Sequence, residues 1–514
     1  GSFRQYDGLS RRVRSTRPNP RNVVNYSDYA VEEPPDESRP QRRPQNRLPR
    51  QFRFNWRSPL LMSPHSPSTL YLAGNHLFRS VDGGERWMIV SPDLSSNDPA
   101  KTDIQDPGGL TRDSSGAETH CAITALSESP LVPGLIWAGS DDGQLHVTRN
   151  GGAEWTEAGT NIPDMPPGLW VSSVEASHFD PGAAFVAFDG HRSDDWGVWI
   201  FKTQDYGKSW RSIRANIPDG QVLYVVRQDY KNSRLLFAGS EFALFASLDG
   251  GQSWQRFMNG LPTVAIHDLV IHPRDGDLVA GTHGRGIWIL DDITPLQELD
   301  DEVLAGPAYL FEPRPATIWE DASRGGVRGQ FPLAAPNPPS IPPRDDVVRA
   351  KLINGASFSY YLKSPQAEPV EIEITDLVGE SSRTLIASAG QGIHRVQWDL
   401  RFDLPDERVK EALRNLRELV GAASGLPYLS QQQSQALQRM GGLLANAADL
   451  GRLQEATGLM RDHFGQMSIF RRAFRGLPRG QLAEPGRYRI VLRAGGKEYS
   501  RILNLRQDPI LEGG

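Results

Sequence analysis

A mainly β fold made of repeated small sheets is predicted by three features of this 514-residue sequence. The pattern S/T-x-D/N-x-G-x-x-W occurs four times, beginning at Ser80, Thr148, Thr203 and Ser247. Each copy follows two short apolar runs that are separated by a polar stretch. No helical periodicity interrupts these repeats. Strands between regularly spaced turns indicate a β-propeller.

The apolar runs predict the strands of each repeat in order. The first run of each repeat, usually ending in Ala-Gly, lies at 70–74, 135–139, 185–189 and 236–239. A fifth run at 278–281 opens a repeat whose box is lost at Ile289-Leu-Asp291. We therefore expect about five blades within 54–298. Residues 1–16 hold two short strands around Asp7-Gly8, which we interpret as the outer strands of a preceding blade.

The residue types of the repeated box indicate a structural role. An Asp or Asn at the head of a tight turn accepts hydrogen bonds from nearby backbone amides, and glycine permits positive φ. The tryptophan then begins the next strand and buries a large ring between neighbouring sheets. We interpret the following box residues as structural: Asp82, Trp87, Asn150, Trp155, Asp205, Trp210, Asp249 and Trp254.

With these boxes the chain resembles the Asp-box, or bacterial neuraminidase repeat, propellers, and among them the C-terminal portion of the sortilin-like, glycosyl-hydrolase-like bacterial group. Recurring phrases include Ser91-Pro-Asp93-Leu94, Asp205-Tyr-Gly207-Lys-Ser-Trp210 and Gly281-Thr-His283-Gly-Arg285. The resemblance implies a propeller in which further blades precede this chain. An N-terminal companion chain or segment is then expected to complete it. Related propellers include enzymes, receptors and assembly factors, so no single activity is implied.

Two Pro-rich stretches divide the chain into further domains. Residues 17–53 are rich in Pro and Arg and predict an extended crossing segment, or else a basic docking arm. Residues 299–345 are expected to be a linker. The alternating pattern of 346–508 predicts a β-sandwich. Val396-Gln-Trp398-Asp399 and Pro485-Gly-Arg-Tyr488 resemble the immunoglobulin-like domain of the flagellar hook-capping type.

A helical insertion is predicted within that sandwich at 405–478. Val409, Leu413, Leu416 and Val420 recur at helical spacing, and apolar residues continue the pattern to Met460. The insertion is expected to be a packing element or a partner surface.

Composition narrows the classes of function. The formal charge of −6 argues against a nucleic-acid partner. No apolar run approaches the ~20 residues of a membrane-spanning helix. The single cysteine, Cys121, excludes an internal disulfide. The histidines lack ligand spacing, so neither a metal nor another cofactor is expected.

Ligands of propellers usually bind at the mouth of the central channel, where loops between second and third strands meet. Carboxylates beside Arg, His and Trp there could bind sugars or perform acid/base hydrolysis, whereas the same residues also form turns and ion pairs. The candidate residues of this face are Asp141, Asp142, His191, Arg192, Asp194, Asp195, Glu241, His283 and Arg285.

Two functions remain open. The first is an exported, non-catalytic propeller that binds a polypeptide or a glycan at its mouth and takes part in an assembly. It would be extracellular, periplasmic or on the cell surface. The second is a glycoside hydrolase, xyloglucanase-like or sialidase-like, that uses paired carboxylates. The resemblance implies that a sialidase-like enzyme needs an arginine triad, a Tyr/Glu nucleophile pair and an Arg-Ile-Pro phrase, and no Arg-Ile-Pro occurs in this sequence.

Overall fold

The computed structural model describes residues 4–7, 12–29, 52–102, 120–318, 355–404, 406–445, 456–460, 463–464 and 480–507. The chain divides into two compact units, Gly1–Gln297 and Glu298–Gly514. Most of the Pro/Arg-rich segment 17–53, residues 319–345 of the expected linker and most of 446–478 in the helical insertion lie outside the described residues.

Successive antiparallel sheets make up the first unit, which is mainly β and propeller-like as predicted. A hairpin of β1 (Arg4–Asp7) and β2 (Arg12–Ser15) comes first. Blade I contains β3 (Leu60–Met62), β4 (Leu70–Ala73), β5 (Leu77–Ser80) and β6 (Met88–Ile89). A short helix α1 (Pro99–Thr102) follows. Blade II contains β7 (Ile123–Glu128), β8 (Ile136–Ser140), β9 (Leu145–Thr148) and β10 (Thr156–Glu157).

The next blades repeat this order. Blade III contains β11 (Trp170–Ala176), β12 (Ala184–Asp189), β13 (Trp199–Thr203) and β14 (Arg211–Ser212). Blade IV contains β15 (Leu223–Gln228), β16 (Leu236–Ser240), β17 (Leu244–Ser247) and β18 (Gln255–Arg256). Blade V has three described strands, β19 (Ile266–Ile271), β20 (Leu278–Thr282) and β21 (Ile287–Leu290). The total number of blades stays a prediction.

Each box forms the turn between the third and fourth strands of its blade. Asp249 Oδ1 accepts hydrogen bonds from the backbone amides of Gln252 and Ser253, both at 2.9 Å, and from Ser247 Oγ at 2.8 Å. Ser247 Oγ in turn accepts from the amide of Gly251 at 2.9 Å, where φ is +89°. Asp82, Asn150 and Asp205 accept equivalent bonds in their own turns. The carboxylate or amide thus fixes the turn locally.

Every box tryptophan ties its blade to the preceding strand layer. The indole Nε1 of Trp210 donates to the carbonyl of Ala158 at 3.0 Å, and Trp254 Nε1 donates to Ile213 at 2.7 Å. Trp155 makes the same bond to Val90 at 3.0 Å. A large apolar ring and its single donor are therefore satisfied together between blades.

The second unit is a sandwich of two sheets. Its elements begin with α2 (Thr294–Glu298), which spans the unit boundary, α3 (Asp301–Ala305), β22 (Ala308–Leu310), β23 (Ala316–Ile318), β24 (Ala356–Leu362) and β25 (Val370–Asp376). β26 (Ser382–Ala387), β27 (Gly392–Trp398), β28 (Gly486–Ala494) and β29 (Lys497–Gln507) complete it. The sheet orders are β22-β24-β27 and β23-β29-β28-β25-β26.

One core joins the two sheets of this unit. Phe358 and Trp398 from the smaller sheet are buried with Ile372, Ile490 and Leu503 from the larger one. Sheets that share a core face to face define a β-sandwich. Its relation to immunoglobulin-like domains stays a prediction.

The expectation of a linker at 299–345 was wrong for its described part. β22 pairs with β24, and β23 pairs in parallel with β29. Short strands flanked by Gly306-Pro307 and Pro313 gave too weak a periodic signal to be recognised in the sequence. The sandwich therefore begins before residue 346.

Helices α4 (Asp406–Ser424) and α5 (Gln431–Ala445) lie between β27 and β28, and further helical residues are described at 456–460 and 463–464. They bury their own cluster, including Leu416 and Met440, apart from the sandwich core. The chain leaves and re-enters the sandwich at one place, because Phe402 N donates to the Gln481 carbonyl at 3.0 Å. Within the described residues, no helix is long and apolar enough to cross a membrane.

Substitutions in the last box test its structural role. We expect Trp254→Ala to lower the free energy of unfolding by about 3 to 5 kcal/mol, since a buried ring is lost. Asp249→Ala should lower it by about 1 to 3 kcal/mol through unsatisfied turn amides. Urea denaturation measures both, with the exposed Glu154→Ala as control. Loss of ligand binding without loss of stability would contradict a structural role.

Replacing 406–478 by a short Gly/Ser loop should leave the sandwich folded. The loop needs only to join ends that already lie together at Phe402 and Gln481, and the helices have a separate core. Fluorescence of the buried Trp398 reports the outcome, with Phe358→Ala as a core-damaging comparison. A red-shifted spectrum in the loop variant would show that the helices belong to the sandwich core.

Candidate functional site

The first strands of successive blades lie side by side at the inner edge of the propeller unit. Thr124 Oγ1 donates to the carbonyl of Val171 at 3.0 Å, and Ser172 Oγ donates to the carbonyl of Leu223 at 2.9 Å. The register of each first strand in blades II to V shifts near its start. The residues at these bulges are Thr124, Ser172, Tyr224 and His267. A bulge changes the direction of its side chain. These four residues therefore determine which chemical group each blade presents at the inner edge.

Blade I carries a longer segment at this place. The amide of Asn75 donates to the carbonyl of Arg53, as the amide of Glu241 does to Val222 in blade IV. The amide of Ala73 then donates to Pro59, so residues 54–58 occupy a place that Leu223 and Tyr224 fill in blade IV. This insertion adds new side chains at the inner edge.

Asn55 fixes the insertion and thereby places Arg57. Its Nδ2 donates to Asp141 Oδ2 of blade II at 3.0 Å, and its Oδ1 accepts from the amide of Arg57 at 2.9 Å. Both ends of the Asn55 amide are thus used to shape the backbone. The side chain of Arg57 is half-buried.

The Arg57 guanidinium lies in a mixed electrostatic environment. Burial lowers its pKa, the negative charges of Asp189 and Asp268 oppose this, and Arg192 adds to it. Within the described residues the guanidinium makes no ion pair or side-chain hydrogen bond. A partly desolvated guanidinium with unused donors is suited to an anionic group.

Asp189, at the end of β12, organises the neighbouring part of the site. Its fully buried carboxylate accepts from the amide of His191 at 3.0 Å, from His191 Nδ1 at 2.5 Å and from Arg192 Nη1 at 3.2 Å. The Arg192 guanidinium also lies 4.0 Å from the ring centre of Trp170. Asp189 therefore holds His191 and Arg192 in place.

Aromatic and imidazole rings continue the site across blades III, IV and V. The ring centres of Tyr224 and His267 are 4.2 Å apart, and those of His267 and His283 are 4.9 Å apart and nearly parallel. His191 meets Tyr224 edge-on at 5.9 Å. Tyr224 Oη donates to Glu241 Oε2 at 2.5 Å.

Burial sets the protonation of these rings. Burial and the hydrogen bond to Glu241 raise the pKa of Tyr224, so its hydroxyl stays protonated at neutral pH. Burial, with the positive charges of Arg57 and His283, lowers the pKa of His267. Tyr224 and His267 therefore present neutral rings beside Arg57.

Asp141 and Asp142 lie beneath the insertion in a buried network. Asp141 accepts from the amide of Ala122 at 2.9 Å, and burial raises its pKa to about 7. Burial also acts to raise the pKa of Asp142, but hydrogen bonds from Ser140 and Ser96 outweigh it and the pKa is lowered. Asp141 therefore keeps its proton to a higher pH than Asp142 does.

Exposed aromatic side chains occur on loops at the same ends of the strands. Trp56 of the insertion is 66% exposed, and Trp196, after β12, is 46% exposed. Phe242 follows β16 and is 42% exposed. Aromatic surfaces beside a polar cluster are suited to stacking against a ligand.

Four sequence-predicted residues are brought together here: His191, Arg192, Glu241 and His283. The others serve locally. Asp194 accepts from Trp196 Nε1 at 3.2 Å, Asp195 accepts from Trp199 Nε1 at 3.0 Å, and the Arg285 carbonyl accepts from Trp288 Nε1 at 3.1 Å. Asp141 accepts a hydrogen bond from Asn55 of the insertion, and Asp142 accepts hydrogen bonds from Ser96.

Sequence reasoning missed Arg57, Tyr224 and His267. Alignment of the inner strands gave the only available signal, since 54–58 is longer than the corresponding part of the other blades. In the described part of the chain, no three His, Cys, Asp or Glu side chains are grouped as a metal site requires.

Comparison with known proteins gives distant similarities. No family model matches the chain. Vacuolar protein sorting/targeting protein 10 of Verticillium alfalfae is 28% identical over 78 residues, which cover 15% of this chain and 5% of that protein. The chain thus matches only a small part of this relative's length.

Solved structures that resemble the chain do so with low TM-scores. The GH74 xyloglucanase from Xanthomonas campestris has 22% sequence identity and a TM-score of 0.35. The match covers 47% of this chain and 37% of the xyloglucanase chain. YCF48 bound to D1 peptide has 17% identity and a TM-score of 0.30, covering 47% and 67%. At these scores the similarities carry no argument about function.

Asp141 should make stability depend on pH. Its folded pKa of about 7 lies above the ordinary value of 3.8 for Asp, so the folded state holds a proton that the unfolded state has released. Stability should therefore fall as pH rises from about 4 to about 7, by up to about 1.4 kcal/mol per pH unit. Urea denaturation across this range should show a flatter profile for Asp141→Asn than for wild type.

The difference between the two profiles isolates this carboxyl. Burial lowers the pKa values of three histidines, His76, His146 and His267. Because of them the stability of the protein falls as pH falls, and this effect is the same in wild type and in Asp141→Asn. Asp194→Asn, which removes a carboxyl outside this network, serves as control. Parallel profiles for wild type and Asp141→Asn would contradict the proposed protonation.

Proposed function

We propose that this protein is a non-catalytic binding propeller whose inner strand ends take up an extended glycan or polypeptide that carries a carboxylate. The observation that carries the proposal is the half-buried Arg57 guanidinium, which makes no ion pair or side-chain hydrogen bond within the described residues and feels the charges of Asp189 and Asp268 only from a distance. Burying a cation is costly unless a counter-charge arrives. A carboxylate accepts two parallel hydrogen bonds from guanidinium.

The surroundings of Arg57 support an extended ligand. Tyr224, His267 and His283 offer flat rings along one side. The exposed Trp56 and Trp196 lie on loops at the same ends of the strands and could stack on sugar rings or apolar side chains. A ligand longer than one residue would be needed to use them together.

The carboxylates of the site favour binding over chemistry. Asp189 already accepts three hydrogen bonds, and Glu241 accepts one from Tyr224. A general acid needs a raised pKa and a reachable proton, and a general base needs a free lone pair near the ligand. Within the described residues, these two groups are engaged in positioning their neighbours.

A sialidase-like glycoside hydrolase is the second candidate, because one observation favours it. Tyr224 and Glu241 are hydrogen-bonded beside Arg57 and Arg192, and the resemblance to Asp-box propellers implies that a hydrolase of this kind needs a Tyr/Glu pair and arginines. Against it, the pKa of Tyr224 is raised, which disfavours the nucleophilic phenolate.

We further propose that the protein works outside the cytoplasm, in the extracellular space, the periplasm or at the cell surface. Extended acidic glycans are found there, and the sandwich with its helical insertion offers a second surface for assembly. Fractionation of the producing cells tests this: recovery of the protein with the cytoplasmic fraction would contradict it.

Arg57→Gln should weaken binding of a carboxylate ligand by about tenfold or more, since a charge-assisted hydrogen bond contributes about 1.5 to 3 kcal/mol. Isothermal titration with a trigalacturonate, compared with neutral galactotriose, measures this for a glycan. A peptide with a free carboxyl terminus, compared with its amide, measures it for a polypeptide. Arg149→Gln, at the outer turn of blade II, is the matched control.

Each outcome bears on the choice between functions. Binding of either carboxylate ligand that is lost in Arg57→Gln and kept in Arg149→Gln supports the proposal. Equal binding of charged and neutral ligands, or no effect of Arg57→Gln, would overturn it. Release of sialic acid from a sialyl oligosaccharide that Glu241→Gln abolishes would establish the hydrolase instead.

A further inference from the structure

Different groups fix the ends and the middle of the blade I insertion. Backbone hydrogen bonds from the amides of Ala73 and Asn75 fix its two ends, and these bonds do not depend on pH. Its middle is fixed by the Asn55 side chain, which bonds to Asp141 on one side and to the Arg57 amide on the other. The position of Arg57 is therefore tied to an ionisable group of blade II.

The orientation of the Asn55 amide decides whether Arg57 is held. An Asn side chain has donors at one end and an acceptor at the other. Nδ2 of Asn55 faces Asp141 Oδ2 at 3.0 Å, so Oδ1 is free to accept from the Arg57 amide at 2.9 Å. If the Asn55 amide turned over, its Nδ2 would face the Arg57 N–H, donor against donor. The hydrogen bond to Arg57 would then be lost.

A proton on Asp141 favours this turned orientation. Asp141 Oδ1 accepts from the backbone amide of Ala122 at 2.9 Å, and a backbone N–H can only donate. A proton on the carboxyl therefore goes to Oδ2, where it faces Asn55. The ionised Oδ2 accepts from Asn55 Nδ2, whereas the protonated Oδ2 donates and needs Asn55 Oδ1 as its acceptor.

Burial makes this choice strict. Asp141 is fully buried and Asn55 is 4% exposed. Bulk water therefore does not replace a lost partner, and leaving a buried donor or acceptor unpaired is costly. The amide of Asn55 must follow the proton of Asp141.

The carboxyl changes its charge near neutral pH. Burial raises the pKa of Asp141 to about 7, and the negative charge of Asp142 acts in the same direction. Hydrogen bonds from Ala122 and Asn55 oppose this rise. His120 Nδ1 also faces the carboxyl, 3.7 Å from Oδ1. Both protonation states of Asp141 are thus populated close to pH 7.

We infer that Asp141 is a positioning residue of the binding site: its carboxylate holds Arg57 through Asn55, and its protonation releases Arg57, so that binding of a ligand carboxylate releases a proton. This inference rests on the proposed function, in which Arg57 binds that carboxylate. A ligand that needs one of two states binds more weakly in proportion to the population of that state. With a pKa of about 7, the affinity should fall about tenfold from about pH 8 to about pH 6.

Other titrating groups of the site act in the opposite direction. The charged or titratable groups around Arg57 and its neighbouring rings are Asp189, His191, Arg192, Tyr224, Glu241, His267, Asp268 and His283. Protonation of a carboxylate or an imidazole in this set makes the site more positive and favours an anion at low pH. Weaker binding at low pH is therefore specific to the control of Arg57 by Asp141.

Nuclear magnetic resonance of the full chain without ligand tests this control directly. In protein labelled with [15N]arginine, the Arg57 amide signal is the one that Arg57→Gln lacks. We expect this signal to shift with a midpoint near pH 7 in wild type and in Asp194→Asn, whose carboxyl lies outside the network. The shift should be absent in Asp141→Asn and in Asn55→Ala. A signal that does not titrate in wild type, or that titrates equally in Asp141→Asn, would overturn the inference.

Isothermal titration with trigalacturonate at about pH 6 and about pH 8 measures the consequence for binding. Wild type and Asp194→Asn should bind about tenfold more weakly at the lower pH. Asp141→Asn should bind weakly at both, because its Oδ1 keeps the Ala122 amide and its Nδ2 faces Asn55 as a donor, like the protonated carboxyl. Binding that is not weaker at about pH 6, or full affinity in Asp141→Asn, would overturn the inference.

The two experiments separate this inference from the proposed function. If wild type bound no carboxylate ligand at either pH, the proposed function would fail. The Arg57 amide signal needs no ligand, so it decides in that case too whether Asp141 positions Arg57.

Discussion

The propeller unit depends on the hydrogen bond that each box indole donates to a backbone carbonyl. That carbonyl directly follows the outermost strand of the preceding blade. The hydrogen bond joins the turn of one blade to the outer strand of another, and it satisfies the one polar atom of a buried ring. A glycine beside it allows the two segments to approach closely, as at Gly152, where a Cβ would lie 2.1 Å from the Val90 carbonyl oxygen. The outer side of the unit is thereby the same in the four repeats that carry a box.

The inner edge is free to differ because the blades are already held together from outside. Thr124 and Ser172 use their hydroxyls to join first strands, whereas Tyr224 and His267 at the same bulges present rings. Blade I differs most, since its insertion carries Arg57 and is held by Asn55 on Asp141. The distinctive chemistry lies where the repeat is broken.

This division explains what the sequence could predict. The boxes, their turns and the strand order follow from a local pattern. The propeller-like β fold was therefore predictable from box residues such as Asp82 and Trp87. Charged loop residues such as His191 and Glu241 were found because carboxylates and imidazoles stand out. Arg57 and Tyr224 were missed since their role depends on bulges and on strands that meet from distant parts of the chain. β22 and β23 were missed because strands of three residues carry little periodicity.

The helical insertion affects how the sandwich can assemble. β27 ends at Trp398 and β28 begins at Gly486, so their shared core requires closure of a long loop. The entropy of closure grows with the length of flexible chain between the ends. The helices form their own cluster from contacts that are local in sequence, and such contacts form quickly. They therefore shorten the flexible length of the loop before the sheets meet. The insertion thus turns a slow, long-range search into the docking of two nearby chain ends, and its helices can act as an internal folding aid for the domain that contains them.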